Sequence, residues 1–398
     1  TTEIYTLSLH DALPISSRRQ SKMRGSTHLA LFAWALPPNS NAGVFRPLSF
    51  IKYGGNLGWH ISAFHAPAPS NQSQNGQSLL LQIPKQAQLH SVLPSRLRPS
   101  YRLTPQIDGG FCNALEMALY AITKLEKAPP DAVLASGPPF HTFVAASFVA
   151  KHFDIPLILD YRDEWTECPF DFVSKNSDDV KWERRCLESA DAVIFTTQSH
   201  IEHQTRVFPE LSHDRTHLIP NGWDVDDFDA AGSMARQRTA AGSDIFQLSH
   251  IGTLAGHNLP GSFLSNVEQA FDMLPVLRER LRIRFVGRRS PEADNQLQQF
   301  TYQDNLEIID HVDKRTANQL MMESDALLLI SAEGLERYLP GKLFDYVASR
   351  RPILVAGQPG ESANVVKLLH AGLHIRDASE LISALETPSR WSNPDSPL

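Results

Sequence analysis

The residues best suited to chemistry lie in the run Pro340-Gly341-Lys342-Leu343-Phe344-Asp345. Pro340-Gly341 opens a predicted helix over 341–349 directly after an irregular loop, so the first-turn N–H groups have no acceptor inside the helix. A helix terminus of that kind binds phosphate well, and Lys342 adds a positive charge beside it. Asp345, one turn further on, offers a carboxylate to a ribose diol. The same residues also suit an ordinary helix start with a solvated lysine and aspartate, and spacing alone does not separate the two readings. Two more candidates, His141 and Asp163, fall on loops at strand ends, where ligands of layered α/β proteins sit. His141 could equally be a helix cap, and Asp163 could pair internally with Arg162. Trp165 reads as core rather than as a sugar platform.

The elements that must position these groups alternate between short apolar runs and helical stretches, the pattern of parallel α/β layers. In the first half, strands are predicted at 28–34, 58–66, 131–136, 156–161, 191–196 and about 216–219. Helices are expected from about Phe45 and over 111–126, 141–153 and 178–189, and residues 67–110 read as an irregular surface excursion. The second half restarts with a strand at 246–254, followed by strands at 281–287, 305–312, 325–331, 352–357 and 373–377. Its helices are predicted over 262–279, 314–323, 341–349 and 361–371. The expectation is two doubly wound units facing across a cleft. They are a first domain over 23–230 and a second over 243–398, joined by a small, polar linker from Asp227 to Gly242.

Composition excludes several classes. The chain has 398 residues, of which 42% are hydrophobic and 20% charged, as in ordinary globular proteins rather than disordered or collagen-like ones. A formal charge of −7 argues against nucleic acid as a partner. Cys112, Cys168 and Cys186 are odd in number and lack C-x-x-C spacing, which fits a reducing cytoplasm and no disulfide or zinc framework. The uncharged run Ala132 to Ala150 has about the length of a membrane span, but Gly137-Pro138-Pro139 breaks it into a strand, a turn and a helix. No secretory signal is visible, and a soluble protein is expected. Residues 1–22 fit poorly with the rest of the chain. TTEIYTLSLHDALPIS resembles a translated sequencing-adapter read-through, so the natural start is expected at Met23, the alternative being a genuine disordered basic tail.

Several segments resemble one enzyme family. PGKLFDYVASRRPIL (340–354) is similar to the "P-x-K-L-F-E-Y-L-A-x-G-K-P-I-L" segment of family-four retaining glycosyltransferases, which have the GT-B fold. ASGPPFHTFVAASFVAKHFDIPLILDYRDEW (135–165) resembles their "S-x-P-P … D-x-R-D-x-W" stretch. ERRCLESADAVIFTT (183–197), HLIPNGWDVDDF (217–228) and HIGTL (250–254) come in the family's order. The resemblance covers roughly Leu29 to Gly357 and implies two Rossmann-like domains, the first serving the acceptor and the second the nucleotide-sugar donor.

By position, the resemblance gives Asp345 to the donor ribose, and Gly341, Lys342 and Leu343 to the diphosphate, with Gly252 and Thr253 close by. Gly43 and Arg46, in PPNSNAGVFR (37–46), would belong to a first-domain loop closing over the donor. His141 and Asp163 would face the acceptor side. The chain also departs from the family. Eight residues before Asp345, where many members have a glutamate for the sugar hydroxyls, stands Arg337, leaving Glu333 or Glu336 to serve. The loop after Gly252 offers only His257 as a cation, so Arg288 or Arg289 would supply charge to the diphosphate. The chain stops at WSNPDSPL (391–398) without the helices that usually cross back, and a fragmentary C-terminus is one reading of that.

The resemblance implies transfer of a sugar from a UDP- or GDP-linked donor to a glycan or lipid-linked acceptor, with retention and without metal or other cofactor. Asp224-Val225-Asp226 and Asp227-Phe228-Asp229 have metal-holding spacing but read as structural. Such enzymes build cell-surface polysaccharides and glycolipids, in keeping with a cytoplasmic protein that touches the inner face of a membrane peripherally. Two other readings stay open, a silent sugar-nucleotide- or glycan-binding homologue and a nucleotide-sugar epimerase on the same fold.

Overall fold

The computed structural model describes residues 27–67, 74–96, 104–224, 228 and 245–387. The segment 1–22, most of the linker expected over 227–242, Val225 to Asp227 and the run 391–398 lie outside the described residues. The chain divides after Pro220 into two compact units.

The first unit carries a seven-stranded, all-parallel sheet. Its strands are β1 (His28–Ala33), β2 (His60–His65), β3 (Ala87–Ser91), β4 (Ala132–Gly137), β5 (Leu157–Tyr161), β6 (Ala192–Phe195) and β7 (Thr216–Leu218). They lie in the order β3-β2-β1-β4-β5-β6-β7. Leu31 pairs with Ala63 on one side and Leu134 on the other, fixing β1 between β2 and β4. β1, β4 and β5 read as continuous apolar runs because helices cover both faces of a parallel sheet, and almost every residue in them is buried.

The second unit repeats the plan with six parallel strands: β8 (Phe246–Ile251), β9 (Leu281–Val286), β10 (Leu306–Ile309), β11 (Ala326–Ser331), β12 (Ile353–Gly357) and β13 (Gly372–Ile375). Their order is β10-β9-β8-β11-β12-β13. In both sheets the winding reverses beside the first strand, at β1/β4 and at β8/β11. Ligands of such folds bind at the carboxyl ends of strands there. Both units therefore have the doubly wound architecture expected from the sequence.

Three local differences have physical causes. The helix expected over 262–279 is two, Gly261–Met273 and Val276–Arg280, because Pro275 lacks an N–H and restricts Leu274 before it. The excursion 67–110 contains the edge strand β3, whose half-buried pattern gives little apolar signal. The helix Gln198–Val207 was invisible in its polar sequence and buries only His200, Ile201 and Gln204; a Thr197 side-chain cap starts it. The run Ala132 to Ala150 resolves into β4 and the helix His141–Phe153. Among the described residues no helix is long and apolar enough to cross a membrane.

Candidate functional site

In the second unit the helix Gly341–Ala348 comes after β11 and begins at the β8/β11 reversal. Its Leu343, Phe344, Tyr346 and Val347 are buried, so one apolar face docks on the sheet. The Tyr346 hydroxyl accepts from the Ile251 N–H at 2.8 Å and lies 3.2 Å from the Ile251 carbonyl, pinning the helix to the end of β8. Pro340 occupies the capping position and supplies no side-chain acceptor. The Leu343 N–H is bonded to the Pro340 carbonyl at 2.9 Å. Gly341 and Lys342 are left with first-turn N–H groups that have no acceptor among the described residues, and beside Gly341 there is open space.

Lys342 lies one turn before Tyr346, on the same face. Its ammonium comes 3.1 Å from His250 Nε2, at the end of β8. Burial pulls the Lys342 pKa down to about 8. Gly252 is required here twice over: its φ is +148°, and a Cβ would come within 3.0 Å of Lys342 Nζ. The β8–β9 pairing continues past the strands through Gly252 N to Val286 O at 2.8 Å and Leu254 N to Arg288 O at 2.9 Å. That pairing sets Thr253 and Arg288 along one edge. Both are exposed, and the Arg288 guanidinium has no partner among the described residues. Arg289, by contrast, is consumed: it bonds Asp294 at 2.6 Å and Asp310 at 2.7 Å. Of the two arginines expected to supply charge, Arg288 is the one left to do so.

Other expectations for this unit need correction. Leu343 has no exposed surface and packs in the core, and its N–H is already bonded, so it offers a diphosphate nothing. Asp345 is not a bare carboxylate: Lys314 Nζ lies 2.6 Å from its Oδ1. Oδ2 has no partner among the described residues and remains open to a hydroxyl. Glu336 turns back on its own loop, accepting the Gly334 N–H at 3.0 Å. Glu333 stands exposed on the turn before it.

At the carboxyl end of the first unit's sheet, the arginines are spent internally. Arg46 holds Asp160 through Nε at 3.0 Å and Nη2 at 2.7 Å, and donates to the Pro220 and Ile219 carbonyls, each at 2.8 Å. Asp160, with no exposed surface, also accepts from Ser136 Oγ at 2.7 Å. Arg46 was expected to reach the donor; here its donors strap the first turn of the helix Phe45–Asn56 to β5 and to the residues just past β7. Arg162 bonds the carbonyls of Gly137, at 3.0 Å, Gly43, at 2.8 Å, and Pro138. A Cβ on Gly43 would meet its guanidinium at 2.9 Å, so this glycine makes room for Arg162.

Asp163 is the next residue, and burial raises its pKa to about 6, the Arg162 charge offsetting part of that effect. The loop carrying it is held by two buried carboxylates of the helix Ser177–Ser189. Asp179 accepts the Trp165 indole N–H at 3.1 Å, and Glu183 accepts the Thr166 N–H at 3.0 Å. Trp165 is fully buried and stacks on Phe140 with centroids 5.0 Å apart, a core residue as expected. His141 is 1% exposed and sits edge-on to Trp34 at 4.4 Å. Neither ring nitrogen has a hydrogen-bond partner among the described residues. Burial holds its pKa near 3, so the ring is neutral and serves as no proton carrier at ordinary pH.

Residues 56–222 match the family described as "Glycosyl transferase 4-like domain". These residues form a glycosyl transferase 4-like domain. The two sheets give the chain as a whole the GT-B fold, which it shares with solved glycosyltransferase structures. Solved structures similar over the full length include sucrose-phosphate synthase from Thermosynechococcus elongatus, at 13% identity and TM-score 0.61, covering 92% of this chain and 91% of that one. HepE of Anabaena in complex with UDP and glucose is 13% identical at TM-score 0.60, covering 92% of each chain. A glycosyltransferase from Rickettsia africae is 11% identical at TM-score 0.63, covering 92% of this chain and 90% of that one. No curated protein sequence matches the chain.

Arg162, His141 and Asp163 fall within the matched residues, Arg46 precedes them, and the phosphate-type terminus lies beyond them in the second unit. His250 and Lys314, which touch the site's two central side chains, escaped the sequence reading. His250 carried one signal, a histidine beside Ser249 at the end of a largely buried strand. Lys314 carried none, since a helix-start lysine is ordinary.

Proposed function

We propose that the chain transfers a sugar from a nucleoside-diphosphate donor to a glycan or lipid-linked acceptor, with retention of configuration and without a metal ion. One observation carries this reading: the uncapped start of the helix Gly341–Ala348, with Lys342 held beside it at the β8/β11 reversal. When the glycosidic bond breaks, the sugar becomes oxocarbenium-like and the departing diphosphate gathers negative charge. Two oriented N–H groups, an ammonium and the exposed Arg288 guanidinium are the groups that charge needs, and each such donor is typically worth about 10²–10³ in rate.

Asp345 Oδ2 is the acceptor available to the ribose. Glu333 is the carboxylate free for sugar hydroxyls, and Asp163 in the first unit is the group suited to the acceptor. UDP and UDP-glucose bind the Anabaena protein HepE, which supports trying uridine donors first.

The test is calorimetric titration of the full chain with UDP and with GDP, alongside Asp345→Ala. The expected result is binding of one diphosphate that weakens at least about tenfold in the variant, some 1.4 kcal/mol. Folded protein that binds neither would remove the donor-site assignment.

A further inference from the structure

The geometry points to His250 as the residue that positions Lys342 for the donor's diphosphate, an inference that rests on the donor site proposed above. His250 has no exposed surface, and its ring makes two polar contacts among the described residues. Nδ1 lies 3.0 Å from the Leu328 carbonyl on β11, and Nε2 lies 3.1 Å from Lys342 Nζ. A carbonyl oxygen only accepts, so Nδ1 carries the proton, and the neutral ring then presents a lone pair at Nε2. An ammonium only donates, so the second contact demands the same tautomer. Burial and the neighbouring ammonium both hold the ring neutral.

The consequence concerns charge. A carboxylate at this place would fix Lys342 but cancel its charge before any ligand arrived. An apolar residue would leave the charge intact and the side chain loose. Neutral imidazole takes one of the three N–H groups, leaves two for a ligand and cancels nothing. Gly252 forms the floor beneath the lysine, where a Cβ would come within 3.0 Å of both Cε and Nζ. Tyr346 locks the same helix face to Ile251. The ammonium is thereby placed beside the free Gly341 and Lys342 amides before binding, which reduces the ordering cost of binding. His250 is thus a positioning residue and touches no substrate.

UDP titration of wild type, His250→Asn and His250→Gln tests it, with all three repeated in a Lys342→Met background. Asparagine reaches the Leu328 carbonyl but not Lys342, whereas glutamine brings an amide oxygen toward the place of Nε2. His250→Asn is expected to weaken UDP about tenfold, the loss of one well-placed charge-assisted contact, and His250→Gln to stay within about threefold of wild type. In the Lys342→Met background both changes should be without further effect.

Wild-type affinity in His250→Asn, or an equal loss in both backgrounds, overturns the positioning role while leaving the donor site standing. Absence of UDP and GDP binding by folded wild type overturns both. If His250→Asn does not fold, nitrogen-15 spectra of the wild-type histidines decide. The inference requires a protonated Nδ1 and a bare Nε2 whose resonance moves in Lys342→Met; the opposite tautomer ends it.

Discussion

The carboxyl ends of the two sheets have the same winding and contrasting electrostatics. In the first, Arg46 and Arg162 spend their N–H groups on a buried aspartate and five backbone carbonyls, and His141 is sealed neutral in the core. In the second, the helix start has no side-chain cap, Arg288 is exposed, and among the described residues Lys342 is held by a neutral ring alone. A cation whose donors are satisfied internally shapes a loop; one held by a neutral partner keeps its charge for a ligand. Residue type alone does not distinguish these roles, since each sheet end offers an arginine beside a glycine-containing loop.

The sharpest way to break the comparison is Arg46→Leu. Asp160 would be left buried with the Ser136 hydroxyl and the nearby Arg162 charge but without its paired guanidinium, and removing one partner of a buried pair costs about 3–5 kcal/mol. Urea unfolding should report that loss. Arg46→Lys should recover little of it, because an ammonium cannot reproduce the fork that spans Asp160 and two carbonyls. If Arg46→Leu kept full stability but lost UDP binding, Arg46 would belong with the ligand cations after all.

A smaller effect should appear at the second sheet. With its pKa drawn down to about 8, Lys342 is charged below that pH and loses its proton as the pH rises through it. UDP affinity should therefore be level near pH 7 and fall about tenfold by pH 9.5, roughly 1.4 kcal/mol. Lys342→Met should remove that limb of the profile. A wild-type affinity that does not change across this range would show that the ammonium is not a ligand group.

The smallest effect concerns the end of the same helix. Arg350 adopts φ 56°, a left-handed conformation that favours glycine. Arg350→Gly should raise stability by about 1 kcal/mol, seen as a higher melting temperature, with UDP affinity unchanged. A change in affinity would mean that strain at the far end of the helix reaches its start.

Much of this was legible from sequence. Apolar runs such as HLALFA and ALLLIS marked central strands because residues buried on both faces must be apolar throughout. The helices 141–153 and 314–323 matched their predicted bounds. Elements whose order comes from caps and edges were not legible: Gln198–Val207 and β3 bury too little for periodicity to show. At the candidate site, Pro340, Gly341, Lys342 and Asp345 are close in sequence and share one helix start, so a local motif revealed them. His250 lies 92 positions from Lys342, and Asp160 lies 114 from Arg46. Only sheet order brings those pairs together.

The sequence by itself determined two parallel α/β units and the helix start that suits a diphosphate, because burial periodicity and local spacing are properties of neighbouring residues. The tertiary structure decided which cations remain available. That choice depends on which distant carbonyl, carboxylate or imidazole each side chain meets once the strands are in register.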